Sequence, residues 1–239
     1  MKADHLRRVD GGSMRLFAAA WAILLKDIRN EARAPKVVAP MFLFAFIVLL
    51  VFVFAIDPLN MDVLPVFPGI LWTGVFFAGA IGMARMFSGE MSRGSLQGLV
   101  AAPIDRAAIY FGKFGGGLVF VGLTAGTMTP LLFLFFRQNI TGPWWQLASV
   151  LLLVNVGFVA VGTLVAAITA QTGQSEVLLP ILLFPLSIPL VLGAVELTAG
   201  LLENGSFADN AHWIWLLAFY DLLFIVLGPL LFDYVVEVS

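Results

Sequence analysis

The side chains able to do covalent chemistry are few, and their spacing excludes most enzyme classes. No cysteine is present, which removes disulfides, thiolate metal sites and thiol nucleophiles. No Gly-x-x-x-x-Gly-Lys-Ser/Thr phosphate loop occurs, since Gly112-Lys113 is followed by Phe114. No His-Glu-x-x-His, Gly-x-Ser-x-Gly or paired-carboxylate arrangement appears either, so no catalytic residue is expected and the chain reads as a non-enzyme. Of the two histidines, His5 lies in a polar leader. His212 adjoins Trp213 and Trp215, where it either ligates a metal or belongs to an interfacial aromatic belt. One acid, Asp221, stands inside an otherwise apolar run, about 12 Å beyond Trp213 at helical rise. Buried acids of this kind are functional candidates by default. Asp221 could equally stay protonated, or bond Tyr220 or a Ser/Thr of another helix.

Positive charge carries more information than any motif. With 61% hydrophobic and 12% charged residues and a mean hydropathy of +1.00, the composition is that of a polytopic membrane protein. No nucleic-acid partner is expected, whereas membrane lipid is. Twelve of the thirteen Lys and Arg residues fall in residues 1–36 and 85–113.

These charges bound the elements. A helix needs about 20 apolar residues to cross a bilayer. Six runs qualify: Val37–Ile56, Pro65–Ala84, Phe114–Phe136, Trp145–Ala170, Val177–Val195 and Trp213–Phe232. An even count puts both termini and the 85–113 segment on one side. The other side holds Arg137 alone against Asp57, Asp62, Glu196, Glu203 and Asp209. The positive-inside rule then makes the termini cytoplasmic. The expected fold class is all-α, with six transmembrane helices preceded by an interfacial helix and interrupted by a cytoplasmic loop.

Three segments follow from this reading. Residues 1–13 form an extension, expected to be disordered. Residues 14–36 form an amphipathic helix on the inner leaflet, in which Leu16, Phe17, Ala20, Trp21, Leu24, Leu25 and Ile28 recur at helical spacing. Residues 37–239 form the six-helix domain, with a loop at 87–113. Within that domain Gly74, Ala78 and Gly82, with the pairs Gly112/Gly116 and Gly122/Gly126, mark close helix contacts. Pro180, Pro185 and Pro189 make the fifth span either a gate or a statically kinked helix.

Several of these residues form patterns met in a known family. Pro68-Gly69-Ile70-Leu71-Trp72 opens the second span, Gly94-Ser95-Leu96 and Pro103 lie in the long loop, and Leu183-Phe184-Pro185-Leu186-Ser187-Ile188-Pro189-Leu190 fills the fifth span. Together with the six-span layout, they resemble CcmB, the B subunit of the cytochrome c maturation haem exporter, an ABC transporter permease. The resemblance covers roughly residues 14–238. Pro68, Gly69 and Trp72 are its motif residues. The looser set Glu90, Gly94, Leu96, Pro103 and Lys113 resembles the coupling region of exporter-type ABC permeases.

The resemblance implies a homodimer in the bacterial inner membrane. Each copy would dock a cytoplasmic A-type ATPase subunit carrying the ATP and Mg. The haem-handling C-type subunit, the small D-type subunit and the E-type haem chaperone would be further partners. It implies haem export or release of loaded chaperone, with haem in the assembled complex and His212 as a possible haem contact. Residues 92–100 would form the coupling helix, with Glu90, Arg93, Gly94, Leu96, Leu99 and Pro103 at the ATPase. A lipid or drug exporter permease of the same layout is the nearest rival. An ion-coupled secondary transporter is a different class; it predicts inverted repeats and charged groups at mid-membrane, for which only Asp221 speaks.

Overall fold

The computed structural model describes residues 2–56, 63–91, 105–138, 143–170, 172, 174–203, 207 and 209–237. Among these are seven helices: α1 (Lys2–Arg33), α2 (Val38–Ala55), α3 (Phe67–Met91), α4 (Arg106–Phe135), α5 (Trp144–Ala170), α6 (Ser175–Leu202) and α7 (Ala211–Glu237). The last six are long and apolar enough to cross a membrane, and the protein is an all-α, multi-pass membrane protein.

Several differences from the sequence reading concern where helices begin and end; α6 runs to Leu202 rather than Val195, and α7 to Glu237 rather than Phe232. The first helix starts at Lys2 and so takes in residues that the sequence reading sets apart as an extension. The 87–113 segment is largely helical at both its ends, because α3 runs on to Met91 and α4 starts at Arg106. A charge marks where hydrocarbon ends, and a helix is free to continue past it. Asp105 sets the start of α4, its carboxylate accepting from the Ala107 amide at 3.0 Å. The short link between α1 and α2 is fixed the same way. Glu31 accepts from the Val37 amide at 2.8 Å and the Val38 amide at 2.6 Å, satisfying donors at the start of α2.

Burial sorts the spans into layers. Within their apolar windows α3 and α5 are 78% and 72% buried, whereas α2 and α7 are 17% and 22% buried. The inner pair meets through small residues, as close packing in lipid requires. Gly79 lies against the Phe158 ring, and Gly162 faces Met83. Phe76 meets Phe158 edge-on at 4.8 Å between centroids. The outer helices present large apolar side chains outward, among them Phe54, Ile181 and Trp215. At the far end α4 closes with Arg137 in a left-handed conformation (φ 52°), and the Gln138 amide reaches back to the Phe133 carbonyl.

The expected small-residue contacts divide. Gly74 and Gly82 are packed by Met128 and Met41, while Gly112 receives Ile23 of α1 so closely that a Cβ would lie 2.9 Å from the Ala20 carbonyl oxygen. Gly126 has nothing within 4 Å of such a Cβ. Gly112→Ala is therefore expected to destabilise by about 1–3 kcal/mol through overpacking. Gly126→Ala should be neutral or stabilising by up to about 1 kcal/mol through helix propensity. Thermal unfolding of the two purified variants in one detergent checks both.

Candidate functional site at the basic end of the bundle

Lys113, one of the residues of the looser coupling pattern, lies near the start of α4, which packs against α1, the end of α3 and the end of α7. Lys113 is the centre of this region. Its side chain is 1% exposed, and its ammonium donates to Asp27 Oδ2 of α1 at 2.9 Å. The other oxygen of Asp27 lies 3.3 Å from Lys26 Nζ. The Phe87 ring of α3 sits below the Lys113 ammonium at 5.7 Å, a cation–π contact. Gly112, Gly115 and Gly116 line the approach of α1, which lies close enough for Ile23, Leu24 and Asp27 to touch them.

The same turns of α4 hold α5 and α7. Tyr110 is fully buried; its hydroxyl lies 3.0 Å from the Ala160 carbonyl of α5 and 3.3 Å from the Phe224 carbonyl of α7. Gly228 makes room for it, since a Cβ there would collide with the phenol. One turn earlier, Arg106 donates to the Asp233 carbonyl at 3.2 Å and lies 3.6 Å from its carboxylate. From Lys113 back to Arg106 is seven residues, so α4 reaches about 10 Å past the buried ion pair. On α3, Met91 lies about 6 Å beyond Phe87 at helical rise, and the two helix ends carry the 92–104 connection.

Of the expected coupling residues, Arg93, Gly94, Leu96, Leu99 and Pro103 lie outside the described residues, and Glu90 falls in the last turn of α3. The motif residues at the other end of α3 have a packing role. Trp72 is buried and donates from Nε1 to Thr198 Oγ1 of α6 at 3.0 Å; that hydroxyl in turn donates to the Ala194 carbonyl at 2.7 Å. Pro68 is buried and Gly69 half-buried. The α6 helix is continuous through Pro180, Pro185 and Pro189, with the last two exposed. It buries Leu179, Leu183, Ser187 and Leu190 instead, so the missing amides fall away from the core stripe.

Asp221 is buried on α7 against Gly157 of α5 and Leu190 of α6, and its Oδ1 has no hydrogen-bond partner. Its neighbour Tyr220 bonds the Leu186 carbonyl at 3.1 Å and not the acid. His212 is exposed beside Trp213 at the opposite end of the molecule from Lys113. Among the described residues no three His, Cys, Asp or Glu side chains converge as a metal site would require.

The profile of the protein family described as "CcmB protein" matches residues 18–239. The chain belongs to the CcmB family. Among its curated relatives, Heme exporter protein B of Rhodobacter capsulatus is 29% identical over 176 residues, 74% of this chain and 80% of that protein. The protein of the same name from Pseudomonas aeruginosa is 28% identical over 195 residues, 81% and 86% of the two chains. That of Paracoccus denitrificans is 29% identical over 182 residues, 75% and 82%. The family segment thus takes in all but the first turns of α1, together with the whole ion-paired junction.

Sequence reasoning overlooked the partner of Lys113. Asp27 continues the apolar stripe of α1 four residues after Ile23, and an acid in such a stripe is a signal of its own. Lys113, among Gly112, Gly115, Gly116 and Gly117, marks where another helix must come close. Removing one member of a buried pair costs up to about 3–5 kcal/mol, less for Lys113→Met, because Asp27 keeps Lys26. Lys113→Met or Asp27→Leu alone should therefore lower thermal stability markedly. The double variant should regain most of the loss, and Arg106→Gln, whose partner is exposed, should cost only about 0–1 kcal/mol. Thermal unfolding in detergent measures all four variants.

Proposed function

We propose that this chain is the permease subunit of an ATP-driven complex in the bacterial inner membrane that exports haem, or releases haem-loaded chaperone, during cytochrome c maturation. The observation that carries the reading is the family match over residues 18–239, with relatives named Heme exporter protein B. The chain has no phosphate loop of its own, so the work must enter from a partner ATPase of the A type. The basic end is the cytoplasmic face, with both termini on it, on the strength of its excess of Lys and Arg.

The ATPase docks on the 92–104 connection, with Glu90, Arg93, Gly94, Leu96, Leu99 and Pro103 as the contact set. Support comes from α4, which reaches about 10 Å beyond the buried ion pair toward this connection, and from α3, which runs on to Met91. A push there reaches α1 through Lys113, and α5 and α7 through Tyr110. The permease pairs with a second copy and joins the C-type, D-type and E-type proteins. Haem is cargo of the assembly on this reading. The prolines of α6 and the unpartnered oxygen of Asp221 are the candidates for moving parts along its path.

Replacing Leu96 and Leu99 together by Asp should abolish co-purification with the ATPase while the chain still inserts in the membrane. A complex that survives the double change overturns the docking assignment. Purification in mild detergent with mass spectrometry and haem absorbance separates the rivals. A haem-handling membrane subunit supports this function, and an ATPase alone supports a lipid or drug exporter. Function lost in Asp221→Asn without any ATPase dependence supports a secondary transporter.

A further inference from the structure

A cleft of about 300 Å³ opens at the basic end where α1 hands over to α2. Its charged lining is Arg33, Lys36, Arg85 and Lys113 with Asp27 and Glu31, and Asn30 adds an amide. Both acids are already engaged. Asp27 faces Lys113 and Lys26, and Glu31 accepts the first amides of α2. Arg33 and Lys36 are exposed and flank the link at the cleft's mouth, with no acidic partner among the described residues. Arg33 and Lys36 thus bring two positive charges to the mouth of the cleft.

The depth of the cleft narrows the class of anion. Val37 lines it and is followed directly by the 18 apolar residues of α2, so the mouth lies where hydrocarbon begins. Met86 and Phe120 supply apolar lining, Phe120 about two turns along α4 from Lys113.

We infer that this cleft binds the phosphate of an anionic lipid headgroup, held by Arg33 and Lys36 at its mouth. The lipid would tie the junction of α1 and α2 to the surrounding leaflet. Basic clefts between helices at a leaflet surface take anionic headgroups by the same physics, and a guanidinium offers the fork that a phosphate accepts. The shared chemistry is a phosphate anion, whose other source would be a soluble phosphate. The inference depends only on the membrane setting and holds for any cargo.

The test uses the full chain reconstituted in nanodiscs of phosphatidylcholine alone or with phosphatidylglycerol. Native mass spectrometry then counts the lipids that stay bound on transfer to detergent. Wild-type protein should retain phosphatidylglycerol over phosphatidylcholine. The double variant Arg33→Gln/Lys36→Gln should retain it on the order of tenfold less, and Arg33→Lys/Lys36→Arg should retain it. Equal retention by wild type and the Gln variant, or no preference between the lipids, overturns the proposal. A parallel thermal titration with inorganic phosphate distinguishes the source. Stabilisation by phosphate that the Gln variant lacks, without lipid retention, replaces the headgroup with a soluble anion and so overturns the lipid assignment.

Discussion

The ammonium of Lys113 and the carboxylate of Asp27 meet where almost no water reaches them, and the geometry of the basic end is organised around that pair. A lone charge at either position would be costly to bury. With both present, α1 is held against α4 in one register, because Ile23 must enter beside Gly112 and Asp27 beside Gly116. Lys26 and the Phe87 ring add to the same arrangement from either side. The fixed end of α1 then determines where Glu31 can cap α2, and hence where the first span enters the membrane. A single buried interaction thus sets the relation of the amphipathic helix to the bundle.

Inside the bilayer a different constraint applies. Apolar side chains gain little from leaving lipid for protein, so helices associate where backbones approach closely and polar groups find partners. The inner pair α3 and α5 does so through Gly79, Gly162 and the rings of Phe76 and Phe158. Hydroxyls of the spans mostly return to their own helix, as Thr163 does to Val159 at 2.7 Å and Ser187 to Leu183 at 2.9 Å. Trp72 to Thr198 and Tyr110 to Ala160 cross between helices instead. Those two bonds tie the opposite ends of α3 and α4 to different neighbours. The unpaired oxygens of Asn155 and Asp221 are the exceptions among buried side chains described.

Much of the architecture was legible in the sequence because it rests on long one-dimensional signals. Six apolar runs, each near the length of a bilayer, predict six spans to within a few residues over most of their ends. The ends near residues 85 and 113 were harder, for the physical reason that a charge terminates burial in lipid without terminating a helix. The amphipathic pattern read over 14–36 overlaps α1, but its apolar wheel omitted Ile23, and the stripe that docks on α4 includes an acid. A pairing between residues 27 and 113 is invisible to any local pattern. Tyr110, flanked by Ile109 and Phe111, offered no signal that its hydroxyl would bridge two other helices. The motif Pro68–Trp72 was legible as a family mark, while its bond to Thr198 depends on a helix more than a hundred residues away.

The distribution of these contacts along α4 gives its first two turns an unusual position in the bundle. Arg106 touches α7, Tyr110 touches α5 and α7, and Lys113 touches α1, all within eight residues of one rigid helix. They differ in strength in a graded way. The Arg106–Asp233 contact is solvent-exposed and worth little, so it can yield without loss of the fold. Tyr110 is locked by the close fit of its phenol to Gly228, and Lys113 by the cost of stranding a charge. A displacement of the helix end is therefore absorbed first at Arg106, and beyond that must be carried as rotation or translation into α1, α5 and α7 together. A bundle whose outer contacts give way before its inner ones can move at one end while the α3–α5 core stays packed.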